Sequence, residues 1–478
     1  MSKYYWIFFT ICFHFIAYKG NCKSDIPLGY KVTIPIPSDN NAGFTGRAFL
    51  MEPEQITVPS FKVALSVEAS FNGSFSCSLQ IFLGEFKVWD SGHASKFYPQ
   101  NKCMLEFTEG GVLLLRGSER QIGWTSGTSG QGVELLQRLQ LLRIGNLVLL
   151  DAMDRIKWQS FEFPTNVILW GQEFNFSTRL TSSVSGNSTM FYSFEIQNNR
   201  IGLYLNSGKF KYSYWEFSPT EGRNIVSAEL GSTGLKLFDQ NHRKFAQISS
   251  RKQKLVRFLA LSETNGNLGL YHYSLQKRKF EASFKAMNEI CDFPVACGPY
   301  SICTLSNTCT CIQFSEKSNI KQSDCNVGFS GEFCGKTEPV EMIEIKGVGS
   351  ILKSPQIFNV RKEVCLSMCI DDCACVALLY SDKGVYAGDA RQRCVHYGLA
   401  RGLKQMEEEE VTVNMLSYWA KVPKGIVGAE GKISVLKRWL LIMGGVVDVL
   451  IILLVMGGSG YYYLVIRKRR TRNENPDT

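Results

Sequence analysis

A glycine followed by alternating large apolar residues recurs along this chain, and this repeat constrains the fold more than any other sequence feature. The glycines that begin these runs are Gly111, Gly145, Gly202, Gly234 and Gly266. Several successive glycines are about 32 to 35 residues apart, a spacing typical of one small supersecondary unit. Each unit carries strand and turn signals, but a single unit cannot bury its own apolar face. We therefore predict a mainly β protein whose neighbouring units stack around shared cores.

The stretch Leu139–Leu169 contains the clearest of these units. Gly145-Asn146 is a dipeptide suited to a turn with positive φ, and the apolar run Leu147–Leu150 follows it directly. Trp158 comes shortly afterwards. The pattern predicts a hairpin that buries an aromatic side chain.

This stretch also contains Trp-Gln-Ser-Phe from Trp158 and the pair Pro164-Thr165. With the preceding turn and strand, these residues resemble the end of the first bulb-type, mannose-binding lectin domain of plant S-domain receptors. The resemblance implies tandem bulb-lectin β-prism domains at residues 61–170 and 171–285. Residues 23–60 are polar and broken by prolines, so we expect a loosely ordered lead-in with room for one edge strand. Trp89 and Trp124 fit the positions of core tryptophans in the family.

In that family each sugar pocket reads Gln-x-Asp-x-Asn-x-Val-x-Tyr. The corresponding residues in the Leu139–Leu169 stretch are Leu142, Ile144, Asn146, Val148 and Leu150. A site that has lost its polar members loses most of its discrimination among hydroxylated ligands, so we expect weak or no mannose binding there. The unit around Gly111 also lacks the polar set, at Phe107, Glu109, Gly111, Leu113 and Leu115.

A vestigial carbohydrate pocket is instead predicted in the last unit. Its polar members would be Glu263, Asn265 and Asn267, with Tyr271 at the tyrosine position and Asn146 as a remnant of the earlier unit. An ordinary polar turn followed by a strand tyrosine is the alternative for the last unit.

The 16 cysteines indicate a secreted, disulfide-bonded protein. Removal of a signal peptide over residues 1–22 would take away Cys12 and Cys22 and leave an even number. Cys77 and Cys103 are the two cysteines of the first lectin unit, and we predict that they pair. Only His396 lies near the cysteines, so we expect no zinc site, and no other metal or cofactor is predicted.

From Cys291 onward the spacing of cysteines and the phrase Cys-Gly-Pro-Tyr resemble the EGF-like module of S-domain receptors, here residues 288–335. Residues 336–422 resemble an α+β PAN/apple domain, in which a helix with cysteines is stapled onto a small antiparallel sheet. The six cysteines of the EGF-like stretch, taken alone, allow fifteen connectivities. The resemblance implies the pairs Cys291–Cys303, Cys297–Cys309, Cys311–Cys325, Cys365–Cys394, Cys369–Cys375 and Cys334–Cys373.

Both ends of the chain carry membrane-targeting features. Residues 439–466 are apolar and long enough for a single transmembrane helix, preceded by a stalk at 423–438 and followed by a basic tail at 467–478. These features predict a single-pass type I protein of the plasma membrane with an extracellular N-terminal region. The net charge of +10 includes five cations between Arg467 and Arg472, so we do not expect nucleic-acid binding. Asn72, Asn175 and Asn187 begin glycosylation sequons.

Asp448 lies inside the predicted transmembrane helix. An acid there costs about 2.5 to 3.5 kcal/mol unless it is paired or near a surface. Pairing with a partner helix and toleration by an otherwise apolar helix both remain open.

No catalytic motif is found, so we expect no enzyme. S-domain receptors normally continue into a cytoplasmic kinase, whereas residues 467–478 are too few to fold. The sequence therefore predicts a kinase-less receptor-like protein. Its lectin, EGF-like and PAN regions would recognise a ligand, which could be a carbohydrate, or a partner receptor, and associated kinases would supply the signal. The alternative is a structural or decoy glycoprotein that binds wall polysaccharide or a receptor dimer surface.

Overall fold

The computed structural model describes most of the chain from Ser24 to Arg467. The ranges outside the description are 1–23, 39–42, 54–57, 71–72, 119–120, 130–135, 184–189, 220–221, 252–253, 313–332, 336–337, 355, 383–391, 408–415, 425–451 and 468–478. The described residues form two β-prisms followed by a disulfide-rich C-terminal unit.

The first prism consists of three four-stranded antiparallel sheets around one core. Its strands are β1 (Asp25–Pro27), β2 (Lys31–Pro35), β3 (Thr45–Met51), β4 (Phe61–Ala69), β5 (Phe75–Leu83), β6 (Phe86–Asp90), β7 (Lys102–Phe107), β8 (Leu113–Arg116), β9 (Ile122–Thr125), β10 (Leu136–Leu141), β11 (Leu147–Asp151) and β12 (Ile156–Gln159). The sheet orders are β3-β4-β5-β6, β2-β7-β8-β9 and β1-β10-β11-β12. Each three-strand unit therefore receives its fourth strand from the N-terminal segment.

The second prism repeats this topology strand for strand. Its strands are β13 (Val167–Leu169), β14 (Glu173–Asn175), β15 (Arg179–Thr181), β16 (Met190–Gln197), β17 (Arg200–Ser207), β18 (Phe210–Phe217), β19 (Ser227–Gly231), β20 (Gly234–Phe238), β21 (Lys244–Ser249), β22 (Phe258–Leu261), β23 (Leu268–Ser274) and β24 (Lys279–Lys285). The sheet orders are β15-β16-β17-β18, β14-β19-β20-β21 and β13-β22-β23-β24.

Three tryptophans fill the axis of the first prism. Trp89, Trp124 and Trp158 lie on the last strand of each unit and meet edge to face, with ring centroids 5.8 to 6.1 Å apart. Such aromatic pairs add attraction beyond the area they bury. The interpretation of these tryptophans as core residues agrees with this arrangement.

The expectation of a loosely ordered lead-in at residues 23–60 is wrong. β1, β2 and β3 lie in this segment and complete the three sheets, with registers such as Ile26 opposite Leu139 and Val32 opposite Leu105. Pro27 and Pro35 are the last residues of β1 and β2, where the missing N–H interrupts no ladder. The prolines therefore end edge strands.

The domain boundary also differs from the predicted one at residue 170. β13 pairs with β22 in the second prism, although Leu169 is the last residue of the stretch that was assigned to the first. The described strands of the first prism end with β12 at Gln159.

The two prisms share an aromatic interface. Phe86 of the first prism stacks on Phe258 of the second at 4.5 Å, and Tyr271 stacks on Phe258 at 5.0 Å. Nearby, His93 Nε2 lies 2.8 Å from the carbonyl oxygen of Thr181 in β15. The outer face of the sheet β13-β22-β23-β24 is thus partly covered by the first prism.

Residues 288–335 and 336–422, which were predicted to be EGF-like and PAN-like regions, share a β-sheet. The strands are β25 (Ser301–Cys303), β26 (Cys309–Cys311), β27 (Val340–Ile345), β28 (Val348–Ser350), β29 (Ile357–Phe358), β30 (Ala377–Ser381), β31 (Arg393–Tyr397), β32 (Leu403–Gln405) and β33 (Leu416–Pro423). The orders are β26-β25-β32-β28 and β27-β33-β30-β31-β29. β25 pairs in parallel with β32, which joins the two regions into one structural unit.

One helix, α1 (Lys362–Asp371), packs on the larger sheet and carries Cys365 and Cys369. The buried Lys421 of β33 donates hydrogen bonds to the carbonyl oxygens of Ile370 and Asp372, at 3.1 and 2.9 Å. Burial lowers the pKa of Lys421, while Asp372 and Asp371 act in the opposite direction. A cation at this position satisfies carbonyls at the helix C-terminus.

Six disulfides lie between described cysteines. They are Cys77–Cys103, Cys291–Cys303, Cys297–Cys309, Cys334–Cys373, Cys365–Cys394 and Cys369–Cys375. Cys311 is also disulfide-bonded. Its expected partner, Cys325, lies outside the described residues.

Residues 452–467 are helical. No helix within the described part of the chain is long and apolar enough to cross a membrane. The expected signal peptide, most of the stalk, Asp448 and nearly all of the tail lie outside the description, as does the first part of the expected transmembrane segment.

Candidate recognition site

The residues at the lectin-motif positions of the first prism belong to its scaffold. Asn146 is only 3% exposed, and its side chain is used internally. Its Nδ2 donates to Gln159 Oε1 at 2.8 Å, and its Oδ1 accepts from the Ser160 hydroxyl at 3.2 Å. Val148 and Leu150 are buried as well. Asn146 is therefore bound within the turn and offers no group to a sugar.

The motif register assigned to the Gly111 unit is wrong by one residue. Phe107, Leu113 and Leu115 are buried in the prism core. Thr108 N donates a turn hydrogen bond to the carbonyl oxygen of Val112 at 2.9 Å. In the next unit, Leu142 N donates the same bond to the carbonyl oxygen of Asn146, also at 2.9 Å, so Thr108 corresponds to Leu142 and Val112 to Asn146. The outward positions are consequently Thr108, Gly110, Val112, Leu114 and Arg116. The sequence did not reveal this register, because the inward-facing and outward-facing residues of Val112–Leu115 are all apolar.

The polar residues predicted in the last unit are dispersed. Glu263 is exposed, and Asn265 accepts a turn hydrogen bond from Asn267 N at 3.1 Å. The Asn267 amide bonds both the carbonyl and the N–H of Met287, at 2.8 and 3.1 Å. Tyr271 packs at the interface between the prisms, and burial raises its pKa. These four side chains do not form an open sugar pocket, which agrees with the alternative of a polar turn.

A second Gly-Leu-Tyr sequence, residues 202–204, occupies the matching place in the first unit of the second prism. The ladder shifts register after Leu203, as it does after Leu270 and Leu149, so Tyr204 corresponds to Tyr271 and Leu150. A Cβ on Gly202 would lie 2.7 Å from the Tyr204 hydroxyl, so the tyrosine ring lies across this glycine. Sequence reasoning missed Tyr204 because Gly202 was taken only as the glycine that begins an apolar run, whereas it lies inside β17.

Tyr204 lies in a cleft of about 790 Å³ between the second prism and the C-terminal unit. The prism wall includes Gln197, Arg200, Lys211, Ser213 and Glu216, and the opposite wall is largely apolar, with Ile351, Leu352, Ile357, Leu379, Val395 and Leu416. Lys353, Ser381 and Arg393 add polar groups to that opposite wall. The cleft can therefore receive an amphipathic ligand.

Backbone and side-chain contacts fix the two walls. Ser213 and Lys353 exchange backbone hydrogen bonds of 3.1 and 2.8 Å. Gly398 N donates to the Tyr212 hydroxyl at 2.7 Å, and the Tyr212 ring stacks on Tyr397 at 5.8 Å. The site is thus formed before any ligand arrives, which lowers the entropic cost of binding.

The side chains that line the cleft carry more positive than negative charges. Glu216 is shared by Arg200 at 3.4 Å and Lys353 at 3.3 Å, and Lys211 pairs with Glu195. Burial raises the pKa of Glu216, but hydrogen bonds from Ser213 and Lys353 and the charges of Lys353 and Arg200 outweigh it, and the net shift is downward. Cations outnumber acids along the lining.

The Tyr204 hydroxyl is a buried polar group in the wall of the cleft. Tyr204 is 4% exposed, and its hydroxyl has no hydrogen-bond partner of normal geometry among the described residues. Burial raises the pKa of Tyr204 to about 12, partly opposed by the nearby Arg200. The Lys211 ammonium lies 4.3 Å from the ring centroid. A buried hydroxyl without a partner costs about 1–3 kcal/mol, which a ligand group could recover.

The one grouping of described residues with metal-ligand types is Cys365, Cys394 and His396. The two cysteines are bonded to each other, and His396 Nε2 lies 3.3 Å from the Cys365 carbonyl oxygen. A disulfide offers no thiolate, so this grouping does not fit a metal ion.

Of the three sequons, Asn175 is described. Its Oδ1 accepts hydrogen bonds from Ser177 N and Oγ, at 3.0 and 2.6 Å. Asn72 and Asn187 lie outside the description, so glycosylation at all three positions stays a prediction.

Two family models match the chain. The D-mannose binding lectin model matches residues 88–189, and the S-locus glycoprotein domain model matches residues 227–318. Among solved structures, a monomeric monocot mannose-binding lectin from Gastrodia elata is 21% identical and covers 29% of this chain and 96% of its own, with a TM-score of 0.18 that is too low to support an argument.

Several curated plant proteins are similar to the chain. A G-type lectin S-receptor-like serine/threonine-protein kinase of Arabidopsis thaliana is 26% identical, over 62% of this chain and 36% of the kinase. A PAN domain-containing protein of the same plant is 25% identical, over 58% and 57%. An S-locus-specific glycoprotein of Brassica oleracea var. alboglabra is 25% identical, over 63% and 75%. The chain matches less than two thirds of the length of the first two relatives.

The paired prisms and the disulfide-rich unit define a lectin-type recognition protein. Within that class, the chain contains a D-mannose binding lectin domain and an S-locus glycoprotein domain, and it is similar to plant G-type lectin S-receptor-like kinases and to an S-locus-specific glycoprotein.

Proposed function

We propose that this protein is a membrane-anchored receptor-like protein that recognises a ligand or partner receptor through the cleft around Tyr204, and that it signals only through associated proteins. The proposal rests on the preformed cleft and on the buried Tyr204 hydroxyl, which lies beside Arg200 and has no hydrogen-bond partner of normal geometry among the described residues. The motif positions of the first prism are apolar or internally bonded, which argues against mannose as the ligand.

The signalling part of the proposal concerns the predicted membrane helix. Asp448 would pair with a basic or polar side chain of a partner helix, because an unpaired acid is costly in lipid. Unchanged co-purification of the Asp448→Leu variant with candidate membrane kinases would count against this pairing.

Replacing Tyr204 by phenylalanine tests the cleft without harming the fold. Removal of an unsatisfied buried hydroxyl should leave stability unchanged or slightly higher, whereas a ligand bonded to it should lose roughly two- to tenfold in affinity. The measurement is binding of the full chain, displayed on cells, to a panel of receptor ectodomains. Tyr192→Phe is the matched control, because this buried tyrosine of the same sheet does not line the cleft. Equal affinity of Tyr204→Phe and the wild type would exclude the hydroxyl from recognition.

A further inference from the structure

The Tyr204 cleft is a gap between the faces of two sheets, and the strand registers show which side chains share each face. On the prism side, Glu216 is paired with Gly202, and Tyr204 lies two residues after that glycine in β17. Arg200 lies two residues before it. Side chains two residues apart point to the same face of a strand, so Arg200, Tyr204 and Glu216 face the cleft together. The contact of 3.4 Å between Arg200 and Glu216 agrees with this placement.

The opposite wall is one face of the five-stranded sheet β27-β33-β30-β31-β29. Ile357, Val395 and Leu379 are paired in one row across β29, β31 and β30, and all three line the cleft. Helix α1 covers the other face of this sheet, where Cys365 is bonded to Cys394, the neighbour of Val395 in β31. The apolar row therefore faces the prism across the cleft.

The two walls meet at one end of the cleft. Ser213 and Lys353 exchange their backbone hydrogen bonds there, and Tyr212 stacks on Tyr397 with 5.8 Å between ring centroids. The volume of about 790 Å³ falls within the range of small-molecule sites, about 300–1,000 Å³. A concave site of this size, closed at one end, fits a small molecule better than the surface of a folded partner.

One acid serves two cations in this cleft. Arg200 and Lys353 both contact the carboxylate of Glu216, at 3.4 and 3.3 Å. Lys211, the other cation of the prism wall, is paired with Glu195 of the same sheet. A single negative charge does not neutralise two positive charges, so Arg200, Lys353 and Glu216 together attract a further anion.

The Tyr204 hydroxyl supplies a hydrogen-bond donor beside Arg200. Burial raises the pKa of Tyr204 to about 12, so at neutral pH the hydroxyl is protonated and can donate to an anion. We propose that the cleft binds a small organic anion with an apolar body, held between Arg200 and Lys353, and that Glu216 competes with this anion for the two cations. This inference rests on the proposed function of the cleft, to which it adds the chemical class of the ligand.

The test measures binding of the purified full chain to phenylbutyrate by equilibrium dialysis. Phenylbutanol keeps the apolar body and loses the charge, whereas acetate keeps the charge and loses the body. We expect phenylbutyrate to bind at least about tenfold more tightly than either control compound. Equal binding of phenylbutyrate and phenylbutanol, equal binding of phenylbutyrate and acetate, or no binding of phenylbutyrate at millimolar concentration would overturn the proposal.

Glu216→Gln separates competition from a structural role, because it removes the charge and keeps the size of the side chain. We expect this variant to bind phenylbutyrate about three- to tenfold more tightly, since both cations become available to the ligand. A structural role of Glu216 predicts weaker binding instead, and that result would contradict the proposal.

Lys353→Gln should weaken phenylbutyrate binding by about three- to tenfold, because one of the two cations is lost. Lys346→Gln is the matched control, since Lys346 is an exposed lysine of the same C-terminal unit outside the cleft, and its change should stay below about twofold. Equal effects of the two lysine variants would also contradict the proposal.

Failure of this inference is distinguishable from failure of the proposed function. If phenylbutyrate does not bind, but Tyr204→Phe weakens binding of a receptor ectodomain, the inference is wrong and the cleft recognises a protein. If phenylbutyrate binds with the expected preference for charge, and Tyr204→Phe leaves ectodomain binding unchanged, the inference is supported and recognition of a partner receptor by the cleft is excluded.

Discussion

Replacing Trp158 by alanine is expected to lower the free energy of unfolding of the first prism by about 3–5 kcal/mol, the usual cost of truncating a buried tryptophan. Trp158 contacts both other axial tryptophans, at 6.1 and 5.8 Å, so its loss leaves a cavity where the three sheets meet. Hydrogen exchange of the β11 amides in the native protein measures this change for one prism at a time.

Trp170→Ala provides the control for the axial tryptophan. Trp170 lies close in sequence but is 53% exposed, and its truncation should change stability by less than about 0.5 kcal/mol. A similar loss from both variants would contradict the role of Trp158 as a central residue of the prism axis.

The second large effect is expected from Gly145→Ala, at about 2–4 kcal/mol of destabilisation. Gly145 has a φ of 87°, and a Cβ there would meet the Phe61 ring at 2.4 Å and Leu169 at 2.8 Å. Backbone strain and a steric clash therefore add. Hydrogen exchange of the same strand provides the measurement.

Gly127→Ala separates the two causes. Gly127 also has a positive φ, 69°, but no described atom outside its chain neighbours lies within 4 Å of the position that a Cβ would take. Strain alone should cost about 1 kcal/mol. Equal destabilisation by the two alanines would mean that the packing of Phe61 and Leu169 over the turn is unimportant.

Local sequence patterns predicted the parts of the fold that depend on local chemistry. The Gly145-Asn146 turn has the expected positive φ, and Trp158 is buried as expected. Cysteine spacing together with the family resemblance gave pairs that match the six described disulfides, and α1 carries Cys365 and Cys369. These features follow from turn geometry and from a few closely spaced residues.

Features that depend on distant pairing were not predicted. β1, β2 and β3 are short, and what defines them is their partner strands farther along the chain. Prolines at the ends of β1 and β2 looked like loop residues in the sequence. A segment of this kind carries too little periodicity to be distinguished from a linker.

The Tyr204 cleft was missed for the same reason. Its apolar wall comes from the C-terminal unit, more than a hundred residues later, so no sequence window contains both walls. The repeated Gly-Leu-Tyr at 202–204 and 269–271 was the available clue. In one copy the tyrosine faces the cleft, and in the other it packs at the interface between the prisms.

The residues assigned to the sugar motif serve the scaffold, because Asn146 is bonded within its turn and Tyr271 packs between the prisms. Binding of the purified full chain to an array of mannose-containing glycans measures directly whether any sugar recognition is left at these positions. We expect no binding to mannosides above background. Clear binding that free mannose inhibits would contradict the scaffold role of these residues.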